Sequence, residues 1–322
     1  MNKLWFRRAL AVAGFIGASA GVLSAYTYKT ALPGTVNYVE GQASISGRAL
    51  DVRQNGNTVV QPNQMLSTGN GKAEMLLSPG VLVRTGDHTD VRMVSTGLVD
   101  PTIEVVHGSA MVEVDQKLKD ARVSVLENGA TATLLKQGLY RFDSDQGRAQ
   151  VLDGKMAVAA NGESKELGKG KEVALNGEPL KAVKFDRKAQ QDDLYKWSKV
   201  RSDYLAQANA STAQYIYAGS GPFWGSGWYW NPYFTSWSWL PGDGLFYSPF
   251  GYAFYSPSYF AYAPYSFGYG YGGGYARGFR GGIGRTAGVG SPGIGVLRQR
   301  AINAGGFHGS AGFSGLRGGG RH

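Results

Sequence analysis

The chain has 322 residues, no cysteine and a formal net charge of +10. Disulfide stapling, thiol catalysis and cysteine-ligated metals are therefore excluded, and any folded part must be held by an ordinary core. The basic character belongs to the two ends, because Lys3, Arg7 and Arg8 open the chain and the stretch from residue 219 carries seven arginines against the single acid Asp243.

Residues 1–25 have the order of a secretory signal: a basic start, an apolar run over 9–23, then the small residues Ala18-Ser19-Ala20 and Leu23-Ser24-Ala25. Cleavage after Ala20 or Ala25 is expected. The run is short for a bilayer span, which needs about 20 residues. The alternative is an uncleaved anchor. Arg7-Arg8 lacks the flanking residues of a twin-arginine signal. The expected location is periplasm or cell surface, or the inner membrane if the anchor stays.

Residues 27–182 read as one all-β domain. Asn-Gly recurs at Asn55-Gly56, Asn70-Gly71, Asn128-Gly129, Asn161-Gly162 and Asn176-Gly177, with Asp153-Gly154 as a sixth pair. That dipeptide suits the two positive-φ positions of a tight hairpin turn. Short β-rich runs are predicted at 35–39, 43–46, 73–77, 81–84, 91–94, 103–106, 110–114, 122–126, 132–135, 139–142, 149–152, 156–159 and 172–175. Alternation such as Val112/Val114 against Glu113/Asp115 predicts one buried and one wet face. Such strands fit a sandwich, a roll or a β-solenoid.

Over 184–210 the period changes to helical, with Leu194, Trp197, Tyr204, Leu205 and Ala208 near one side and Asp186 or Asp192 suited to the N-terminus. This amphipathic helix is expected to pack its stripe back on the β-domain; a docking helix for a partner is the alternative. Residues 219–275 are rich in Trp, Tyr, Gly and Pro, with Pro222, Pro232, Pro241, Pro249, Pro257 and Pro264 at short intervals. Glycine and proline at this density oppose helix and central strand, so a low-complexity segment without a conventional core is expected. Its aromatics should stick to themselves or to something else, which makes Trp224, Trp228, Trp230, Trp237 and Trp239 candidate binding residues. Residues 276–322 are glycine with scattered arginine, the composition of a disordered tail. There Arg277, Arg280 and Arg285 are candidates for attachment to an anionic surface polymer. The Arg-Gly-Gly run resembles RNA-binding tails, but nucleic acid is not expected outside the cell.

No catalytic, cofactor or metal site assembles in the sequence. Asp87-His88-Thr89-Asp90 reads as a polar turn because no third ligand or nucleophile accompanies it. Glu104 and His107 fall on opposite faces of one strand.

One resemblance is carried by residues 66–93. Leu66-Ser67-Thr68-Gly69, Gly71-Lys72-Ala73-Glu74-Met75-Leu76-Leu77, Pro79-Gly80 and Thr89-Asp90-Val91-Arg92 resemble the FecR-like domain, with weaker echoes over about 34–175. The best-studied members of that family are inner-membrane regulators. Their periplasmic β-domain hears an outer-membrane iron–siderophore transporter, and a cytoplasmic N-terminal segment controls a sigma factor. Only residues 1–8 precede the apolar run here, so the sigma-regulating activity is not carried over. The resemblance implies a stand-alone exported module, non-enzymatic, binding an envelope protein or glycan. The alternative is a membrane-anchored component of a FecR-type signal relay.

Overall fold

A computed structural model describes residues 31–116, 121–176 and 179–262. The expected signal or anchor and the arginine-rich tail, with Arg277, Arg280 and Arg285, lie outside the described residues. In chain order the strands of the β-domain are β1 (Thr35–Ile45), β2 (Arg48–Ala49), β3 (Thr58–Val59), β4 (Met65–Ser78), β5 (Val81–Thr85), β6 (Asp90–Ser95), β7 (Thr102–His107) and β8 (Ser109–Val114). They continue as β9 (Val123–Glu127), β10 (Ala130–Leu134), β11 (Gly138–Asp143), β12 (Arg148–Asp153), β13 (Lys155–Ala160), β14 (Glu163–Gly168), β15 (Lys171–Ala174) and β16 (Val183–Lys184). The helix α1 (Asp193–Tyr217) follows, then β17 (Gly227–Asn231), β18 (Ser236–Leu240), β19 (Leu245–Tyr247), β20 (Ala253–Tyr255) and the single turn α2 (Tyr259–Tyr262).

The first sixteen strands form one curled sheet, mostly β as expected, with one long helix after it. Its organiser is β4, which pairs with β1 along most of its length. On its other edge the first half pairs with β6 and the second half with β5. The sheet therefore forks, into an arm β5-β8-β11-β12-β15-β16 and an arm β6-β7-β9-β10-β13-β14. Valines, methionines and aromatics from the inner faces of both arms share one core, including Val83, Val112, Phe142 and Val151 from the first and Met93, Ile103, Val125 and Met156 from the second. The single forked sheet is curled on this common core, and nearly all of its strand pairs are antiparallel, which favours the sandwich or roll over the solenoid.

The Asn-Gly pairs do different jobs. Asn128-Gly129 (φ 47° and 76°) and Asn161-Gly162 (φ 51° and 81°) make the tight β9–β10 and β13–β14 turns as predicted. Asn70-Gly71 is not a turn. It lies inside β4 opposite Gly41, where β1 slips register and a Cβ on Gly71 would strike the backbone of Glu40 and Gln42. Asp153-Gly154 carries the chain from one arm to the other.

A second correction concerns the first arm. Its outer face was expected to be wet, yet Glu113 is 1% and Asp115 0% exposed. The reason is α1, which lies across that face. Asp192 caps it, accepting from the Tyr195 N–H at 3.0 Å, whereas Asp186 closes the preceding turn. The helix starts later than 184 and runs past 210 to Tyr217, ending before Gly219 at φ 75°. Leu194, Leu205 and Ala208 are buried as expected, but so are Ser198, Arg201, Ser202, Asn209 and Thr212.

The third correction is the aromatic segment. Residues 219–262 fold into two hairpins, β17–β18 and β19–β20, instead of a coreless low-complexity run. The prolines do not prevent this because Pro232, Pro241 and Pro249 stand between strands and Pro257 lies between β20 and α2. Alternation in Trp228/Trp230 and Trp237/Trp239 puts indoles opposite one another in register.

Candidate functional site

The most unusual chemistry in the described residues lies under α1, where charged side chains of neighbouring strands point outward and are covered. Glu74 on β4, Arg84 on β5 and Glu113 on β8 stand side by side, since β4 pairs with β5 and β5 with β8. Arg84 Nε donates to Glu74 at 2.8 Å, and Arg84 Nη1 pairs with Glu113. From the helix, Arg201 Nη2 donates to the other oxygen of Glu74 at 2.8 Å and Ser202 Oγ to Glu113 at 2.6 Å. The Arg201 guanidinium also lies 4.1 Å from the ring centre of Tyr38 and 4.9 Å from that of Tyr204.

Two arginines thus face two glutamates in a dry interface, with Asp115 beside them. Burial alone would raise the Glu74 carboxyl, but the charges of Arg201 and Arg84 overturn it and hold the group at about 2. Burial, then the Glu113 charge, push Asp115 well above the usual carboxylate range, so it holds its proton. The cluster is then electrically balanced. Its one hydroxyl on a carboxylate, Ser202 on Glu113, is fully buried, and among the described residues no group of three or more His, Asp or Glu side chains is arranged to hold a metal ion. What it does chemically is clamp.

Two asparagines extend the clamp to the hairpins. Asn37 donates to Glu74 at 3.0 Å and to the Trp237 carbonyl at 3.0 Å, and its own oxygen accepts from the Trp237 N–H at 2.9 Å. Asn209 donates to the carbonyls of Trp239 and Tyr255 and accepts from the Tyr255 N–H at 2.7 Å. Short hairpins are marginal alone, and these amides satisfy edge groups that would otherwise be buried unpaired. The signal for this site was present in the sequence, as polar residues on the helix stripe matching polar residues on one strand face. It was missed because each set reads as solvated when taken alone.

The predicted tryptophans separate. Trp237 and Trp239, at 1% and 0% exposure, pack with Trp228, Leu76, Leu82, Leu205 and Phe254 into a second core. Trp237 Nε1 also donates to the Gly56 carbonyl at 2.8 Å. Half-buried Trp230 packs edge-on against Trp237 at 5.5 Å and covers Gly56, where a Cβ would collide with its ring. The adhesive reading of Trp237 and Trp239 is therefore withdrawn, since fully buried indoles present no surface, and Trp228 keeps only 8% of its own. Trp224 alone stays open at 53% exposure, stacked on Tyr229 with centroids 5.8 Å apart. It borders a shallow apolar cleft of roughly 190 Å³ with Pro33, Pro79, Leu98 and Trp228. The Asp87–Asp90 turn is a turn, with Asp87 bonded to Lys72 at 3.2 Å. Glu104 pairs with Arg92, and His107 lies 3.5 Å from Asp145.

No family model matches this chain, and no curated protein matches it. Among solved structures it matches two crystal structures of a "putative anti-sigma factor" from Parabacteroides distasonis ATCC 8503, at 1.65 and 2.50 Å resolution. Each match has 16% identity and a TM-score of 0.34. The first covers 38% of this chain and 61% of the other, under two thirds of its length, and the second covers 48% and 73%. At that level no residue role passes from those proteins to this one.

Proposed function

We propose that this protein is a non-enzymatic envelope component. In this reading a FecR-like β-domain contacts an envelope protein or glycan, and the arginine-rich sequence beyond residue 262 attaches to an anionic surface polymer. The supporting observation is the clamp. Glu74, Arg84, Glu113 and Arg201 are all engaged in seating α1 and the hairpins, so these four buried groups serve architecture. Recognition is left to exposed surface and to arginines such as Arg277, Arg280 and Arg285.

The test is fractionation of cells expressing the full chain or a chain ending after Tyr262. The full chain should stay with the envelope and loosen as salt rises, while the shortened one is released. Equal retention of both would overturn the role of the tail. The cut must not be made at Ala210, because that removes Trp237 and Trp239 from the second core and uncovers the clamp.

A second reading, a membrane-anchored component of a FecR-type relay, draws on the resemblance over 34–175 and on the apolar run 9–23. N-terminal sequencing of the mature protein decides it, since a start at Gly21 or Tyr26 removes the anchor.

A further inference from the structure

We propose that the apolar cleft at Trp224 is a membrane-docking face, which seats the domain on the lipid headgroup–acyl boundary; this rests on the reading in which residues 9–23 stay as an anchor. The cleft is lined by Ala31, Pro33, Pro79, Leu98, Trp224 and Trp228, with no charged side chain among its lining residues. Leu98 and Trp224 are 57% and 53% exposed, and their sequence neighbours Val99 and Phe223 are also open to solvent. Exposed apolar side chains gathered in one place mark a contact. Its aromatic part is rigid, because Trp224 and Phe223 both stack on Tyr229.

The occupant follows from where the chain enters. Ala31, the first described residue, lines the cleft itself. The apolar run ends at Leu23, and the link of residues 24–30 reaches at most about 25 Å even when fully extended. An inserted anchor therefore holds this face, more closely than any remote one, against the bilayer. Tryptophan, tyrosine and small apolar side chains free of charge are what the interfacial layer accepts. A protein or glycan ligand has no such tether to bring it here.

The absence of native cysteine makes the test direct. Leu98→Cys and, on the exposed edge strand β14, Ser164→Cys are made singly in the full chain and labelled with a nitrobenzoxadiazole dye. Each is reconstituted with vesicles of phosphatidylethanolamine and phosphatidylglycerol carrying brominated acyl chains, then floated. Both proteins should float, but only the label at position 98 should shift to the blue and be quenched by bromine. Adding Trp224→Ser and Val99→Ser to the Leu98→Cys chain should abolish the quenching without stopping flotation. Flotation with both labels equally wet overturns the docking face and leaves the anchor standing. Failure to float overturns both.

Discussion

Arg84 has its guanidinium between Glu74 and Glu113 with essentially no solvent around it. Replacing one member of a buried ionic set leaves the others unpaired, so Arg84→Met should cost about 3–5 kcal/mol, measured by urea unfolding. The two indole environments give a matched pair: Trp237→Ala should lose about 3–5 kcal/mol as a core truncation. Trp224→Ala should stay within about 0.5 kcal/mol, as surface changes do. Glu127 contributes to the pH dependence in the same direction as the buried Asp115. Burial first and the Asp143 charge second push its carboxyl up to about 8, from an ordinary 4.5. The folded form therefore holds a proton that the unfolded form releases, and stability falls as pH rises from about 4.5 to 8, by about 1.4 kcal/mol per pH unit at most. Unfolding at pH 5 and pH 8 should show this loss in the native chain and a flatter profile in Glu127→Gln. Glu74 acts oppositely, contributing above its ordinary 4.5 and failing only as pH drops toward about 2.

At the scale of elements, what could be read in advance depended on whether a signal was local. The inner strands were legible because alternation and β-branched residues specify them locally, as in Val81–Thr85 and Ser109–Val114. Turns were half legible. Asn128-Gly129 and Asn70-Gly71 are the same dipeptide, yet the second is held straight inside β4 by pairing with β1, which no local rule sees. Substitution should expose the difference. Gly129→Ala meets no neighbour and should cost only the left-handed backbone term, about 1–2 kcal/mol. Gly71→Ala drives a methyl into the backbone of Glu40 and Gln42, and thermal unfolding should show the larger loss there. The hairpins β17–β18 and β19–β20 were illegible because their support is remote: Asn37, Gly56 and Asn209 come from other parts of the chain. For the same reason the clamp could not be read, since Arg201 reads as a solvated helix residue until the sheet is placed beneath it.

At the scale of the molecule, the outer face of the first arm is polar enough to have been solvent-facing and is instead covered by α1 and the two hairpins after it. A chain ending after Tyr262 should keep the full unfolding cooperativity of the native protein in urea. One ending after Ala210 should lose it, with earlier exposure of the buried Leu76 and Leu82. The bond between Asn37 and Trp237 joins residues 200 apart in the chain. Contacts of such separation close last, since the ends of a long loop must meet before anything rewards them. As the chain emerges from its N-terminus, β1 thus waits for its final neighbours until nearly all of the described sequence has appeared.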